Sequence, residues 1–359
     1  MRGLLQHLAP FAPDSSGVVS ALYELGGLIV IHDAGGCTGN YCGFDEPRWK
    51  EKPCALFSAG LRDMDAILGR DDRLVEKAQA AAALIKPHFL AIVGTPVPCV
   101  IATDFQGLTR LAEKKLGIPT LSFATTGTAL YDTGLSQAYT EAFARFGKEP
   151  CEISKTRIGI LGASPLDLGQ THARHLHANL QRAQNKDLEI ISFGLDSGFE
   201  DLARVASCAR HLVIAPSGLA CAKLLEKRFG TPYSLDYPLS SGLLRLAKEA
   251  ADYQRILIVH QQVLASTLRR QILEDAGKNT PEISIASFFQ MTEELWQEGD
   301  RHLESEQDFS LLVEEGDYTC LLGDALLLRA LSPKNRDRLH FLEIPHFAVS
   351  GTPMPLGLC

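Results

Sequence analysis

The residues best suited to chemistry are three cysteines at the ends of apolar runs. In G-L-I-V-I-H-D-A-G-G-C-T-G-N-Y-C-G, an apolar stretch ends at His32 and gives way to a glycine-rich loop carrying Cys37 and Cys42. In F-L-A-I-V-G-T-P-V-P-C, a second apolar stretch runs into a turn carrying Cys99. Thiolates are soft ligands for iron–sulfur clusters or zinc. Glycines 35, 36, 39 and 43 let the backbone bend sharply and approach something bulky, so Gly36 joins the candidate site. Spacing alone leaves a second reading open. Free cysteine is commonly a buried small apolar residue, and C-x4-C followed by a distant Cys is a weaker pattern than paired C-x2-C.

Cys54 follows at modest distance as a further candidate ligand, and His32 reads as shaping the loop. His172, His175 and His177 form an H-x2-H-x-H cluster in which the first two could share a helix face, on a helix that reads as solvated. Cys221 reads as core packing, and Cys151, Cys208, Cys320 and Cys359 as structural. The glycine loop matches neither G-x-x-x-x-G-K-[ST] nor G-x-G-x-x-G, and R-I-G-I-L-G-A-S-P lacks the third glycine, so neither reads as a phosphate cradle. With no G-x-S-x-G and no H-E-x-x-H, the sequence advertises neither a hydrolase triad nor a zincin.

The elements that must position these loops are short, continuous Val/Ile/Leu-rich runs alternating with longer helical patterns. Strands are expected at Gly27–His32, Phe89–Val93, Thr120–Phe123, Arg157–Leu161, Leu188–Phe193, His211–Ala215, Arg255–Val259, Glu282–Ser287 and Leu339–Ile344. Helices are expected at Asp72–Ile85, Gln106–Leu116, Thr171–Gln184, Gly218–Phe229, Leu243–Tyr253 and Gln262–Ala276. Continuous apolar strands are those of parallel sheets buried on both faces, and repeated strand–helix–strand order means α/β. A weak internal repeat agrees. F-L-A-I-V-G-T-P and H-L-V-I-A-P-S each lead into a helix that ends in Lys/Arg, Gly and Pro, a dipole-matched and glycine-capped stop. Three Rossmann-like units are expected, at about 1–147, 148–236 and 237–359. Ligands in such sheets collect at the carboxyl ends of the strands, where both cysteine loops fall.

Composition narrows the classes. A chain of 359 residues, 45% hydrophobic, is ample for a large core. The net charge of −8 is spread along the chain with no basic patch, which argues against nucleic acid. Nine cysteines, an odd number, argue against a disulfide framework. The first residues are too few and too polar for a signal peptide, and no apolar run is long enough to span a membrane. A cytosolic protein is expected.

Three segments carry a family resemblance. The run G-V-V-S-A-L-Y-E-L-G-G-L-I-V-I-H-D-A-G-G-C, residues 17–37, resembles the stretch of nitrogenase component 1 that ends in a His-Gly-x-x-Gly-Cys loop. F-S-A-G-L-R-D-M-D-A-I-L-G-R-D-D-R-L, residues 57–74, resembles the segment that follows. V-G-T-P-V-P-C-V-I-A-T-D-F, residues 93–105, resembles the family's Cys-Pro-x-x-x-Ile-Gly-Asp-Asp region, with the proline before Cys99 instead of after it. The similarity is specific over about 10–125 and architectural beyond.

The resemblance implies an iron–sulfur cluster (4Fe-4S or larger) held at a subunit interface by Cys37 and Cys99. The family's first ligand cysteine has no counterpart here, since its place falls near Pro10; Cys42, or a partner subunit, is the substitute. No cysteine stands at Ile214–Ser217, where the catalytic nitrogenase subunit anchors its molybdenum cofactor, so dinitrogen is not the expected substrate. The implied activity is that of a nitrogenase-like reductase subunit, paired with an identical or sibling chain. An iron-protein-like ATPase would supply electrons for a small-molecule substrate in a cleft between the three units. Cleft residues are expected in Gly162–Pro165, Pro216–Gly218, His260–Gln262 and the tail Pro345–Gly351, with His346 as a catalytic candidate. The alternatives are a scaffold that builds and hands over a metal cofactor, a metal-receptor type binding protein, and a metal-free Rossmann-like transferase.

Overall fold

The structure, a computed structural model, describes residues 5–149, 152–184 and 188–350; Cys151, Cys359 and Gly351 fall outside these. It is α/β, with three parallel sheets in sequence, each flanked by helices.

The first sheet comprises β1 (Leu28–Ile31), β2 (Ala55–Ser58), β3 (Leu90–Val93) and β4 (Thr120–Phe123), in the order β2-β1-β3-β4. The second comprises β5 (Arg157–Leu161), β6 (Glu189–Ser192), β7 (Arg210–Val213) and β8 (Tyr233–Leu235), in the order β6-β5-β7-β8. The third comprises β9 (Arg255–Val259), β10 (Glu282–Ser287), β11 (Arg301–His302), β12 (Cys320–Gly323) and β13 (His340–Glu343), in the order β11-β10-β9-β12-β13. Every pairing is parallel. The central strands β1 and β3 are buried along their whole length, as the continuous apolar runs require.

One winding serves all three sheets. The chain moves outward from the first strand, then crosses back to its other side. The reversal opens a crevice beyond the carboxyl ends of β1 and β3, of β5 and β7, and of β9 and β12. The internal repeat is visible in this plan. The helices Phe105–Leu116 and Leu219–Phe229, which follow β3 and β7, both end on a left-handed glycine. Gly117 has φ 71° and Gly230 has φ 72°, and their N–H groups donate to Glu113 and Glu226 carbonyls.

Four strands escaped the sequence reading, for separate reasons. β2, β8 and β11 are short edge strands with partly exposed side chains. β12, C-L-L-G, is fully buried but merges into the apolar run Leu321–Leu331, whose remainder forms a 3-10 turn at Ala325–Ala330. The helix expected from Thr171 begins at Arg174, which leaves His172 before it.

Two glycines let the helix Asp14–Leu22 cross the helix Tyr131–Phe146 at backbone contact. A Cβ on Gly17 would stand 1.8 Å from the Tyr131 carbonyl oxygen, and one on Gly134 would stand 1.7 Å from that of Asp14. The first described residues reach across to the third unit, where the Glu306 carboxylate accepts the N–H groups of Gln6, His7 and Leu8. No described helix is long and apolar enough to cross a membrane.

Candidate functional site

Ile31 and Val93 end β1 and β3 as register partners, so the loops carrying Cys37 and Cys99 leave the sheet side by side at its crevice. The two strand ends are tied together. The His32 N–H donates to the Val93 carbonyl at 2.8 Å, and the Thr95 hydroxyl donates to the His32 carbonyl at 2.8 Å. Thr95 is also the N-cap of the turn of helix Pro96–Val100 that carries Cys99.

Asp33, buried, clamps the first loop. One carboxylate oxygen accepts the Thr38 N–H at 2.9 Å and its hydroxyl at 3.1 Å, and the other accepts the Ser58 hydroxyl at 2.5 Å. Gly35 turns the corner at φ 119° into the short helix Gly36–Asn40, a conformation that side chains avoid. Gly36, Gly39 and Gly43 differ from it. A Cβ on any of them would meet nothing within 4 Å, so no contact inside this chain calls for glycine there.

The Cys37 thiol is half-buried. Burial pushes its pKa up, the Asp33 carboxylate adds to that, and the Thr95 hydroxyl opposes it. Cys99 is exposed. A positive charge beside Cys37 would oppose both raising effects and favour the thiolate. His32 is buried at the root of the loop, with neither ring nitrogen hydrogen-bonded, its ring edge-on to Phe105 at 6.4 Å. Desolvation lowers its pKa and keeps it neutral. It also lines a cavity of about 140 Å³ with Asp65, Asp71 and Asp104.

The remaining cysteines divide by position. Cys42 lies in the turn Tyr41–Asp45, half-buried, with burial raising its pKa. Cys54 precedes β2 and so sits at the amino edge of the sheet. A four-residue strand, about 13 Å at roughly 3.3 Å per residue, separates it from the edge that holds Cys37 and Cys99. Burial pushes the Cys54 thiol up to about 12, and the neighbouring Cys42 adds to the shift. The loops of Cys37 and Cys99 thus leave the sheet from one edge, and Cys54 stands at the other. Among the described residues, no three His, Cys, Asp or Glu side chains are arranged to hold a metal ion. Cys208, Cys221 and Cys320 are buried, and the Cys221 thiol donates to the Gly218 carbonyl at 3.1 Å. The histidine cluster disperses: His172 faces Asp196 at 3.2 Å, while His177 meets the Ser192 hydroxyl at 2.9 Å.

Sequence reasoning missed Arg48, which fixes the loop from below. It is fully buried, with both Glu46 oxygens at 2.7 Å, Glu24 at 2.8 Å, and the carbonyls of Ser20 and Gly194 at 2.8 and 2.7 Å. A buried guanidinium is tolerated when paired this fully. Nothing in E-P-R-W signals it. The candidate His346 stands in a polar centre where the units meet, and its partners there, Tyr131 and Asp167, were missed. Tyr131 of the first unit stands between Asp167 of the second and His346 of the third.

Comparison with known proteins adds kinship. Residues 17–241, more than half of the chain, match the family described as nitrogenase component 1 type oxidoreductase. The chain is similar to the nitrogenase iron-molybdenum cofactor biosynthesis protein NifE of Clostridium pasteurianum, with 25% identity over 179 residues. These are 49% of this chain and 38% of that protein, so the chain spans well under half the length of this curated relative. Two solved structures share the fold at 14% identity. Nitrogenase Cp1 at pH 6.5 aligns with a TM-score of 0.70 over 96% of this chain and 87% of its own. Nitrogenase Cp1 at pH 5 aligns with a TM-score of 0.59 over 97% and 78%.

Proposed function

The chain belongs to the nitrogenase component 1 type oxidoreductases, and on that footing we propose that it is an iron–sulfur cluster-binding subunit with Cys37 and Cys99 as its ligands. The observation that supports the reading is the pairing of β1 with β3, because the loops carrying both cysteines start from one crevice edge. The open space around Gly36, Gly39 and Gly43 supports it, since a bulky group packed there would account for three glycines that this chain alone does not require. When bound, such a cluster takes up and gives back single electrons.

Two thiolates do not complete the four-cysteine set usual for these clusters, so a second component 1-like chain supplies the remainder, and Cys42 is the reserve ligand. The loops at the same edge carry exposed apolar side chains suited to such a partner. They are Phe44, Met64, Ile67, Val97, Val100 and Ile101, each between 40% and 84% exposed, and exposed apolar side chains gathered at one edge mark interaction surfaces.

As a reductase subunit, the chain would pass electrons from an ATP-hydrolysing iron protein to a small substrate other than dinitrogen. The second reading, a scaffold for assembling a metal cofactor, is favoured by the similarity to a cofactor biosynthesis protein. Anaerobic incubation of the cluster-loaded protein with an iron protein, ATP and reductant separates the two. Repeated reoxidation of the reduced chain by added substrates supports the reductase. A single stoichiometric loss of iron to an acceptor protein supports the scaffold. A protein that binds no iron under either condition overturns both.

A further inference from the structure

Asp167, Tyr131 and His346 form a chain of hydrogen bonds sealed from water at the junction of the three units. The Tyr131 hydroxyl lies 2.6 Å from Asp167 Oδ1 and 2.8 Å from His346 Nε2. Asp167 Oδ1 and His346 Nε2 are 3.8 Å apart. Tyr131 is 1% exposed, His346 2% and Asp167 7%. Asp167 belongs to the turn Pro165–Leu168 after β5, and His346 follows β13. His260, after β9, stacks on the His346 ring at 4.4 Å between centroids and 18° between planes, and Phe289 closes the side at 4.6 Å.

A carboxyl, a hydroxyl and an imidazole in a row can hold one proton in two ways. In one, Asp167 is protonated and donates to the Tyr131 oxygen, which donates to neutral His346. In the other, the Asp167 proton has passed to the tyrosine oxygen and the tyrosine proton to Nε2. That leaves a carboxylate, a neutral phenol and an imidazolium. No net charge changes, and the two forms differ by a short shift of two protons.

We propose that Asp167, Tyr131 and His346 constitute a buried one-proton site, shared among the three units, whose occupant keeps their junction electrically neutral. Removing that proton strands a carboxylate in a setting with little water to solvate it, which is costly. The other charged or titratable groups nearby do not compensate. Asp132, beside Tyr131, is occupied by the Gln290 N–H, and Asp324 accepts the His346 N–H. His260 is held neutral by burial. Desolvation pushes the Asp167 carboxyl up to about 7, opposed by the Tyr131 hydroxyl, and holds His346 well below the usual imidazole range. The neutral arrangement therefore dominates below about pH 7, and the proton is lost as pH rises through it. The proposal is independent of the cluster reading.

Infrared difference spectra of the full chain between pH 5.5 and 8.5 test it. A protonated-carboxyl stretch is expected to disappear with a midpoint near pH 7 and to be missing in Asp167→Asn. Tyr131→Phe keeps the packing but removes the donor to the carboxylate. Its band should move in frequency, and its midpoint should rise by about one pH unit, a tenfold change in proton affinity. If Asp167→Asn does not fold, Tyr131→Phe decides. Absence of the band in the parent protein, its full retention in Asp167→Asn, or an unmoved band in Tyr131→Phe overturns the proposal.

Discussion

Ile31 and Val93 are register partners at the carboxyl edge of the first sheet, and six residues beyond each of them stands a cysteine, Cys37 and Cys99. The pairing turns two loops that are 62 positions apart in sequence into neighbours (99 − 37 = 62). It does so at the place where parallel sheets gather ligands.

Thiol accessibility follows from this arrangement. Under anaerobic alkylation of metal-free protein, Cys99 should react first, Cys37 and Cys42 more slowly, and Cys208, Cys221 and Cys320 only after denaturation. Burial pushes the Cys208 and Cys320 thiols up to about 12, which removes the reactive thiolate as well as access. Loading with iron and sulfide should protect Cys37 and Cys99 and leave the buried three unchanged. Peptide mass spectrometry reads both outcomes.

The helix crossing gives a stability prediction. In Gly17→Ala the new methyl would collide with a backbone carbonyl, which has no rotamer to yield. A loss of about 1–3 kcal/mol is expected from such overpacking. Gly36→Ala, where a Cβ meets nothing within this chain, should leave the stability of the metal-free protein within about 0.5 kcal/mol. Urea denaturation of the two variants side by side checks the contrast.

Arg48→Ala should be more damaging. It leaves the Glu24 and Glu46 carboxylates facing each other with their shared cation gone, so about 3–5 kcal/mol is expected. Replacing Lys52, a partly exposed partner of Glu24 and Asp196, should cost under about 1 kcal/mol. Equal losses would contradict the hub role of Arg48.

Much of this was legible beforehand, and the boundary is physical. The central strands announced themselves because burial on both faces demands unbroken Val/Ile/Leu runs. Gly117 and Gly230 announced the helix ends because only glycine is at ease at φ near 70°. β2 did not, since an edge strand such as A-L-F-S carries mixed burial and no periodicity. Cys37 and Cys99 stood out because each ended a strand. That Cys54 would fall at the opposite edge depends on β2 being a strand, which its residues do not declare. Tyr131 was invisible because its partners lie in other units, and Arg48 because Glu24, Ser20 and Gly194 gather around it only through tertiary packing.

Acid sensitivity should come from histidines buried in the neutral form. Desolvation lowers His211 and His260 from 6.5 to about 4. Their neutral state is excluded from protonation in the fold but not in the unfolded chain. Stability is therefore full above about pH 6.5 and is lost as pH falls toward 4, by about 3 kcal/mol at most for each group. His211→Gln should flatten the decline of the urea midpoint between pH 7.5 and 5. An unchanged slope would mean that this histidine takes up its proton equally in both states.

The most direct measurement is iron and acid-labile sulfide per chain in anaerobically purified parent protein and in Cys37→Ser, Cys99→Ser and Cys208→Ser. The account predicts brown parent protein, loss of most iron in the first two variants, and retention in the third, whose sulfur is buried away from the crevice. Equal iron in all four proteins, or none in the parent after reconstitution with its partner chain, would contradict it.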